Sequence, residues 1–190
     1  MENNVTFKDL PLSEEMLKVL EAKGYAYPTT VQRLSIPHFM QWKDVVVKAP
    51  TGTGKTFAFG IPMIEHIDAS RPEIQGLILA PTRELAMQIG EELRGLLTYY
   101  KGIRVAVLYG GAGLVGQARQ LEKNPQIIVA TPGRLMDHHK RRNLRFDHIQ
   151  TVVLDEADRM LDMGFEPQIR SIVEQRGLVF PRFFITRYAP

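Results

Sequence analysis

Five short aliphatic runs punctuate the chain: Asp44-Val45-Val46-Val47, Leu77-Ile78-Leu79, Val105-Ala106-Val107-Leu108, Ile127-Ile128-Val129 and Val152-Val153-Leu154. They are apolar throughout instead of alternating, so each run predicts a strand buried on both faces, as in a parallel sheet. Parallel strands need long crossovers, and stretches of helical periodicity at 56–68 and 83–100 supply them. The pattern predicts an α/β, parallel, doubly wound sheet. Ahead of the first strand, Ser13 is placed to cap a helix with Glu14 and Glu15 in its first turn, Met16, Leu17 and Leu20 on one face, and Gly24 as its stop.

At 190 residues and 44% hydrophobic, the chain is long enough for one well-cored domain. The net charge of +3 and the pI near 9.2 permit an anionic partner without requiring one. The compact basic cluster His138-His139-Lys140-Arg141-Arg142 reads as a solvated helix end, where cations suit the dipole. With no cysteine, disulfides, thiolate metal sites and a cysteine nucleophile are excluded. The N-terminal residues lack the pattern of a signal peptide, and no apolar run is long enough for a membrane span. A soluble, cytoplasmic, monomeric protein without membrane association is expected.

The chemistry begins at Ala49-Pro50-Thr51-Gly52-Thr53-Gly54-Lys55-Thr56, a phosphate loop directly after the first apolar run and opening a helix. Glycines let backbone N–H groups turn inward around a phosphate, and the helix N-terminus adds its positive end. Lys55 is placed to hold the β- and γ-phosphates and Thr56 to offer its hydroxyl to Mg²⁺. A plain glycine-rich turn would have no need of the Lys-Thr pair in this register. Val152-Val153-Leu154 ends in Asp155-Glu156-Ala157-Asp158. Carboxylates at a strand's C-terminal tip sit at the ligand-binding edge of such a sheet. Asp155 is the candidate Mg²⁺ partner, and Glu156 the candidate to orient or deprotonate the attacking water. ATP and Mg²⁺ are the cofactors so implied.

The tetrad Asp155-Glu156-Ala157-Asp158 resembles the signature of the DEAD-box RNA helicases, and the chain from about Phe7 to about Ile172 is similar to their first RecA-like lobe. Gly24-Tyr25-Ala26-Tyr27-Pro28-Thr29-Thr30-Val31-Gln32 looks like the family's Q motif. That resemblance implies that Gln32 reads the adenine edge and Phe7 stacks on the base, with Tyr25 in the same adenine-recognition segment. A side-chain amide both donates and accepts, so it can pair with adenine and reject guanine. Pro81-Thr82-Arg83-Glu84-Leu85, Gly110-Gly111 and Thr131-Pro132-Gly133-Arg134 look like the three elements that grip one RNA strand through phosphates and sugars, without reading sequence. Asp158 is implied to contact the nucleotide site and couple it to the following motif. The domain organisation so read is an adenine-recognition segment at 1–40, a RecA-like ATP-binding lobe at 41–175 and an atypical tail at 176–190.

The tail departs from the family pattern, which continues into a strand ending in Ser-Ala-Thr and then a second lobe. Here Phe183-Phe184-Ile185 has strand character, and Thr186-Arg187-Tyr188 stands about where Ser-Ala-Thr is expected. In RecA-like sheets that strand lies between the phosphate-loop strand and the carboxylate strand. An empty slot there would cost about 1–3 kcal/mol for each unpaired ladder group. Residues 183–185 are therefore expected to fill it, followed by an altered coupling motif. The resemblance implies ATP-driven local unwinding of short duplexes, with RNA and a second RecA-like lobe as partners. Two other readings share the motifs. One is a truncated, nucleotide-responsive RNA-binding module without turnover; the other is a DNA-directed motor of the same superfamily, which is not expected to carry the Gln32 element.

Overall fold

A computed structural model describes residues 4–174 and 181–188 of the chain, so 176–180 and 189–190 of the tail lie outside the described residues. Six parallel strands form one sheet in the order β1-β6-β5-β2-β4-β3. They are β1 (Val45–Ala49), β2 (Gly76–Leu79), β3 (Val105–Leu108), β4 (Ile127–Ala130), β5 (Thr151–Leu154) and β6 (Arg182–Tyr188). The helices between them are α3 (Lys55–His66), α4 (Arg83–Leu96), α5 (Leu114–Leu121), α6 (Pro132–Lys140), α7 (Ala157–Asp162) and α8 (Glu166–Val173). A one-turn 3₁₀ helix (Phe7–Asp9), α1 (Glu14–Ala22) and α2 (Thr30–Met40) precede β1. No helix among the described residues is long and apolar enough to cross a membrane.

Strands β2, β4 and β5 are buried at every position, the consequence of uniformly apolar runs covered on both faces. One core joins Ile78, Val129, Val153 and Phe184 to α1–α4 through Met16, Phe39, Phe59, Ile89 and Leu93. The other joins Leu77, Ile128, Val152 and Leu154 to Leu135, Met160 and Ile172 of α6–α8. The α4 helix ends at Leu96, short of the predicted stretch to residue 100. Its last turn is closed by the Thr98 hydroxyl, which donates to the Gly95 carbonyl at 2.7 Å, and the chain then turns to bring Tyr100 onto α3.

The front helix is fastened by polar groups. Ser13 accepts from Met16 N at 3.2 Å as the N-cap of α1, and its own N–H and hydroxyl both donate to the Glu65 carboxylate at 2.8 Å. Tyr100 donates to the same carboxylate, and burial together with that partner pushes its phenol well above the ordinary value.

Strand β6 lies between β1 and β5, paired over Val45↔Phe184 to Ala49↔Tyr188 on one side and Thr151↔Arg182 to Leu154↔Ile185 on the other. Phe184 is fully buried, with its ring edge-on to Phe39 and Phe59 at centroid distances of 5.2 and 5.8 Å. Phe184→Ala is expected to lose about 3–5 kcal/mol of stability by urea unfolding. Val46→Ala, on the exposed face of β1, is expected to change it by less than about 0.5 kcal/mol.

Candidate functional site

The C-terminal ends of β2, β3, β4 and β5 stand level, since Leu79 pairs with Ala130 and Leu154, and Leu108 with Ala130. Every loop leaving those strands therefore opens on one edge of the sheet, where ligands of such folds bind. The phosphate loop leaves β1 at the same edge. Gly52 and Gly54 take φ of +81° and +78°, conformations that favour glycine. A Cβ on Gly54 would also lie 2.4 Å from Gln32 Nε2.

The loop is tied to the start of α2. Thr29 Oγ1 donates to the Thr53 carbonyl at 2.8 Å, and Gln32 Nε2 to the Gly54 carbonyl at 3.2 Å. Gln32 Oε1 accepts from Thr29 N at 3.0 Å in a capping box. The Gln32 amide is thus buried and engaged at both ends, so a base edge must compete with Thr29 N and Gly54 O for it. Lys55 Nζ donates back to the Ala49 carbonyl at 2.9 Å, and Thr53 Oγ1 to the Pro50 carbonyl at 2.8 Å.

Across from the loop, Asp155 is 5% exposed, and burial lifts its carboxyl above the ordinary value. Thr186 Oγ1 opposes that lift by donating to Asp155 Oδ1 at 2.5 Å, while it accepts from Glu156 N at 2.8 Å. Glu156 adopts a left-handed backbone (φ +51°), a costly state for a residue with a side chain, and ion-pairs with Arg159 at 3.2 Å. Asp158 Oδ2 accepts from Tyr188 N at 3.1 Å, and its Oδ1 is buried without a partner.

These groups line one open cleft of about 730 Å³, which brings together Tyr25, Gln32, Thr51, Gly52, Gly54, Lys55, Thr56, Asp155 and Glu156. Thr53 and Asp158 are not part of its lining. Phe7, expected to stack on the base, is 3% exposed and packed in the core, where its N–H donates to the Ala26 carbonyl at 3.2 Å. Its backbone ties Ala26 while its ring enters the core instead of lining the cleft, because a phenyl ring is better buried than left at an open rim. Sequence reasoning missed Tyr27, Phe57 and Arg159 as lining groups. Phe57 carries Tyr25 edge-on at 5.3 Å, a through-space pairing with no sequence signal.

The described residues contain no cluster of three or more His, Asp or Glu able to cage a metal by themselves. A buried carboxylate with a nearby hydroxyl suits Mg²⁺, which keeps most of its water and shares phosphate oxygens. Glycine-shaped backbone at a helix N-terminus with a lysine suits a polyphosphate.

Of the strand-gripping candidates, Pro81 is buried, while Thr82 caps α4 by accepting from Leu85 N at 3.2 Å. Arg83, Gly110 and Gly111 are exposed, and Thr131, Pro132 and Gly133 open α6. Arg134 departs from expectation. Its side chain is 12% exposed, and Nη1 donates to the Ala112 carbonyl at 2.8 Å, so the guanidinium is largely drawn into the protein, with Nε buried and without a hydrogen-bond partner. The basic cluster also needs correction. Lys140, Arg141 and Arg142 are solvated, but His138 is fully buried, held below the ordinary imidazole value by burial and then by Arg134.

A parallel sheet with a glycine-rich loop after an edge strand, and a buried carboxylate at the tip of the strand two places away from it, defines a RecA-like P-loop nucleotide-binding protein. Residues 29–183 match the DEAD/DEAH box helicase family model, and the chain belongs to that family. It is 50% identical over 169 residues to the ATP-dependent RNA helicase CshA of Limosilactobacillus reuteri, covering 89% of this chain and 34% of that protein. It is 48% identical over 180 residues to the DEAD-box ATP-dependent RNA helicase CshA of Geobacillus kaustophilus, covering 92% of this chain and 38% of that protein. Among solved structures, a DEAD box protein from the hyperthermophile Methanococcus jannaschii superposes with a TM-score of 0.88 at 36% identity, covering 97% of this chain and 50% of that one. The chain thus spans about a third of the length of these curated relatives.

Because the folded-state value of Asp155 is raised, the folded protein binds more protons than the unfolded chain just above the ordinary carboxylate range. Stability therefore falls as pH rises through that window. Asp155→Asn is expected to melt higher than the native protein at neutral pH, with the gap closing as the pH falls to the ordinary carboxylate range. Thermal unfolding followed against pH checks this.

Proposed function

We propose that this chain is the N-terminal ATP-binding lobe of an ATP-dependent RNA helicase, and that it binds ATP with Mg²⁺ and the backbone of single-stranded RNA. Joined to a second RecA-like lobe, it couples hydrolysis to local opening of short duplexes. The observation that carries this reading is the common sheet edge: the phosphate loop leaves β1 at the same end of the sheet as the level termini of β2–β5, from which the buried carboxylate and the strand-end loops depart.

In this reading Lys55 and the N–H groups of residues 51–56 hold the phosphates, and Thr56 and Asp155 hold the metal. Glu156 orients or accepts a proton from the attacking water. When bound, Mg²⁺ neutralises charge that develops on the transferred phosphoryl group. The strained backbone of Glu156 aims its carboxylate, and Thr186 fixes Asp155. Gln32, released from Gly54, selects adenine, with Tyr25 beside it at the rim. Asp158, outside the cleft and bonded to the Tyr188 N–H, couples the site to β6. Thr82, Arg83, Gly110, Gly111 and the Thr131-Pro132-Gly133 turn hold phosphates and sugars of one strand. The segment 1–40 acts as the adenine-recognition part, and 41–175 with β6 as the lobe proper.

Such enzymes draw about 10³- to 10⁵-fold of their rate from an arginine finger, which the helicase resemblance assigns to the second lobe. With these 190 residues alone, adenine-nucleotide binding with little hydrolysis is expected. RNA-stimulated hydrolysis is expected to rise when a second lobe is supplied. Lys55→Ala is expected to weaken binding of a fluorescent adenine nucleotide at least about tenfold and to abolish turnover. Binding or turnover that survives Lys55→Ala overturns the site. Gln32→Ala is expected to narrow the preference for ATP over GTP in the same titration.

A further inference from the structure

One buried amide connects two of the three loops assigned above to RNA, and the tyrosine whose carbonyl it holds reaches the third. Gln117 is 3% exposed, lies on α5 and belongs to none of those loops. Its Nε2 donates to the Tyr109 carbonyl at 2.9 Å, just before Gly110-Gly111. Its Oε1 accepts from Arg134 Nη1 at 3.3 Å and faces His138 Nε2 at 3.2 Å, both on α6. The same Arg134 nitrogen donates to the Ala112 carbonyl at 2.8 Å, just after the two glycines. The glycine pair is therefore gripped on each side, at Tyr109 by Gln117 and at Ala112 by Arg134.

The polarity of the network is self-consistent. The Gln117 oxygen meets two donors and its nitrogen meets a carbonyl, which fixes the amide's orientation. That requires His138 to carry its proton on Nε2, leaving Nδ1 to accept from Asn143 Nδ2 at 3.0 Å. The network also extends to the third loop. The Tyr109 ring lies beneath the Arg83 guanidinium, with the Arg83 Cζ 4.9 Å from the ring centroid. A Cβ built on Gly111 would stand 3.7 Å from Arg83 Nη1, so this cation lies directly against the glycine pair.

We propose that Gln117 and Tyr109 are positioning residues for RNA: Gln117, oriented by His138, and Tyr109, beneath Arg83, hold the glycine turn and that cation in one pre-formed surface for a phosphate backbone. The proposal rests on the RNA reading of these loops. Its physical basis is that exposed glycines would otherwise sample many conformations, and ordering them on binding would subtract from affinity. A buried network whose amide is partnered at both ends fixes them beforehand. Arg134 contributes as a brace for Ala112 instead of as a phosphate ligand.

The test uses the whole chain, with a fluorescein-labelled decauridylate followed by anisotropy at low salt and a fluorescent adenine nucleotide as the control ligand. Gln117→Met, which keeps the volume and removes the hydrogen bonds, is expected to weaken decauridylate about tenfold and leave nucleotide affinity unchanged. Arg134→Met is expected to weaken it similarly, and the double variant to lose little more than either single one, since both act through the same turn. Tyr109→Leu, which leaves the buried amides intact, is expected to weaken it about threefold. It decides the matter if Gln117→Met does not fold. RNA binding at native strength by Gln117→Met, or by Tyr109→Leu where that variant decides, overturns the positioning role. Fully additive losses for Gln117 and Arg134 overturn the shared brace. A native chain that binds nucleotide but no decauridylate overturns the RNA reading itself, and the positioning role with it.

Discussion

The two halves of the nucleotide site are carried by strands that never touch. Phosphate-loop strand β1 and carboxylate strand β5 are separated by β6, and neighbouring strands in a sheet stand about 4.8 Å apart. That single intervening strand sets the spacing between Lys55 and Asp155. It also keeps both faces of the sheet closed, since Phe184 fills one core while Phe183 and Ile185 pack against the other. At its end the Thr186 hydroxyl turns between Asp155 and the Glu156 N–H, so the strand that spaces the site also orients its carboxylates.

The site stores its costs locally. Asp155 is buried against its own charge, Glu156 holds a left-handed backbone, and Asp158 keeps an unpartnered buried oxygen. Each works against stability, and each is carried by apolar packing elsewhere in two large cores. The Gln117 network is the opposite case, with every polar end of the amide satisfied and the glycine turn held by it. Strained groups thus lie where the reading places chemistry, and a satisfied amide lies where it places a rigid surface.

Much of the fold was legible because its signals are local. An unbroken apolar run such as Ile127-Ile128-Val129 has to be covered on both faces, and a Gly-x-Gly-Lys-Thr turn after a strand has one well-known backbone shape. The α1 cap at Ser13 and the stop at Gly24 follow from single residues. Phe7, Arg134 and His138 were less legible for a common reason: residue type gives no direction. An aromatic at a motif boundary can stack on a base or enter a core, and an arginine in a loop can face solvent or a carbonyl. Which occurs depends on partners far along the chain, such as Ala26 for Phe7 and Ala112 for Arg134.

The sequence by itself determined the class of sheet, the order of its elements, the phosphate loop and the identity of the carboxylates, because each rests on the backbone preferences and periodicity of contiguous residues. Tertiary structure alone decided that the strand ends stand level, that Gln32 is already engaged by the phosphate loop, and that Gln117 links loops that follow two different strands while Tyr109 reaches a third. Those facts depend on contacts between residues some 8 to 22 positions apart and on the register of whole strands. Such contacts form only when packing has fixed where each helix lies.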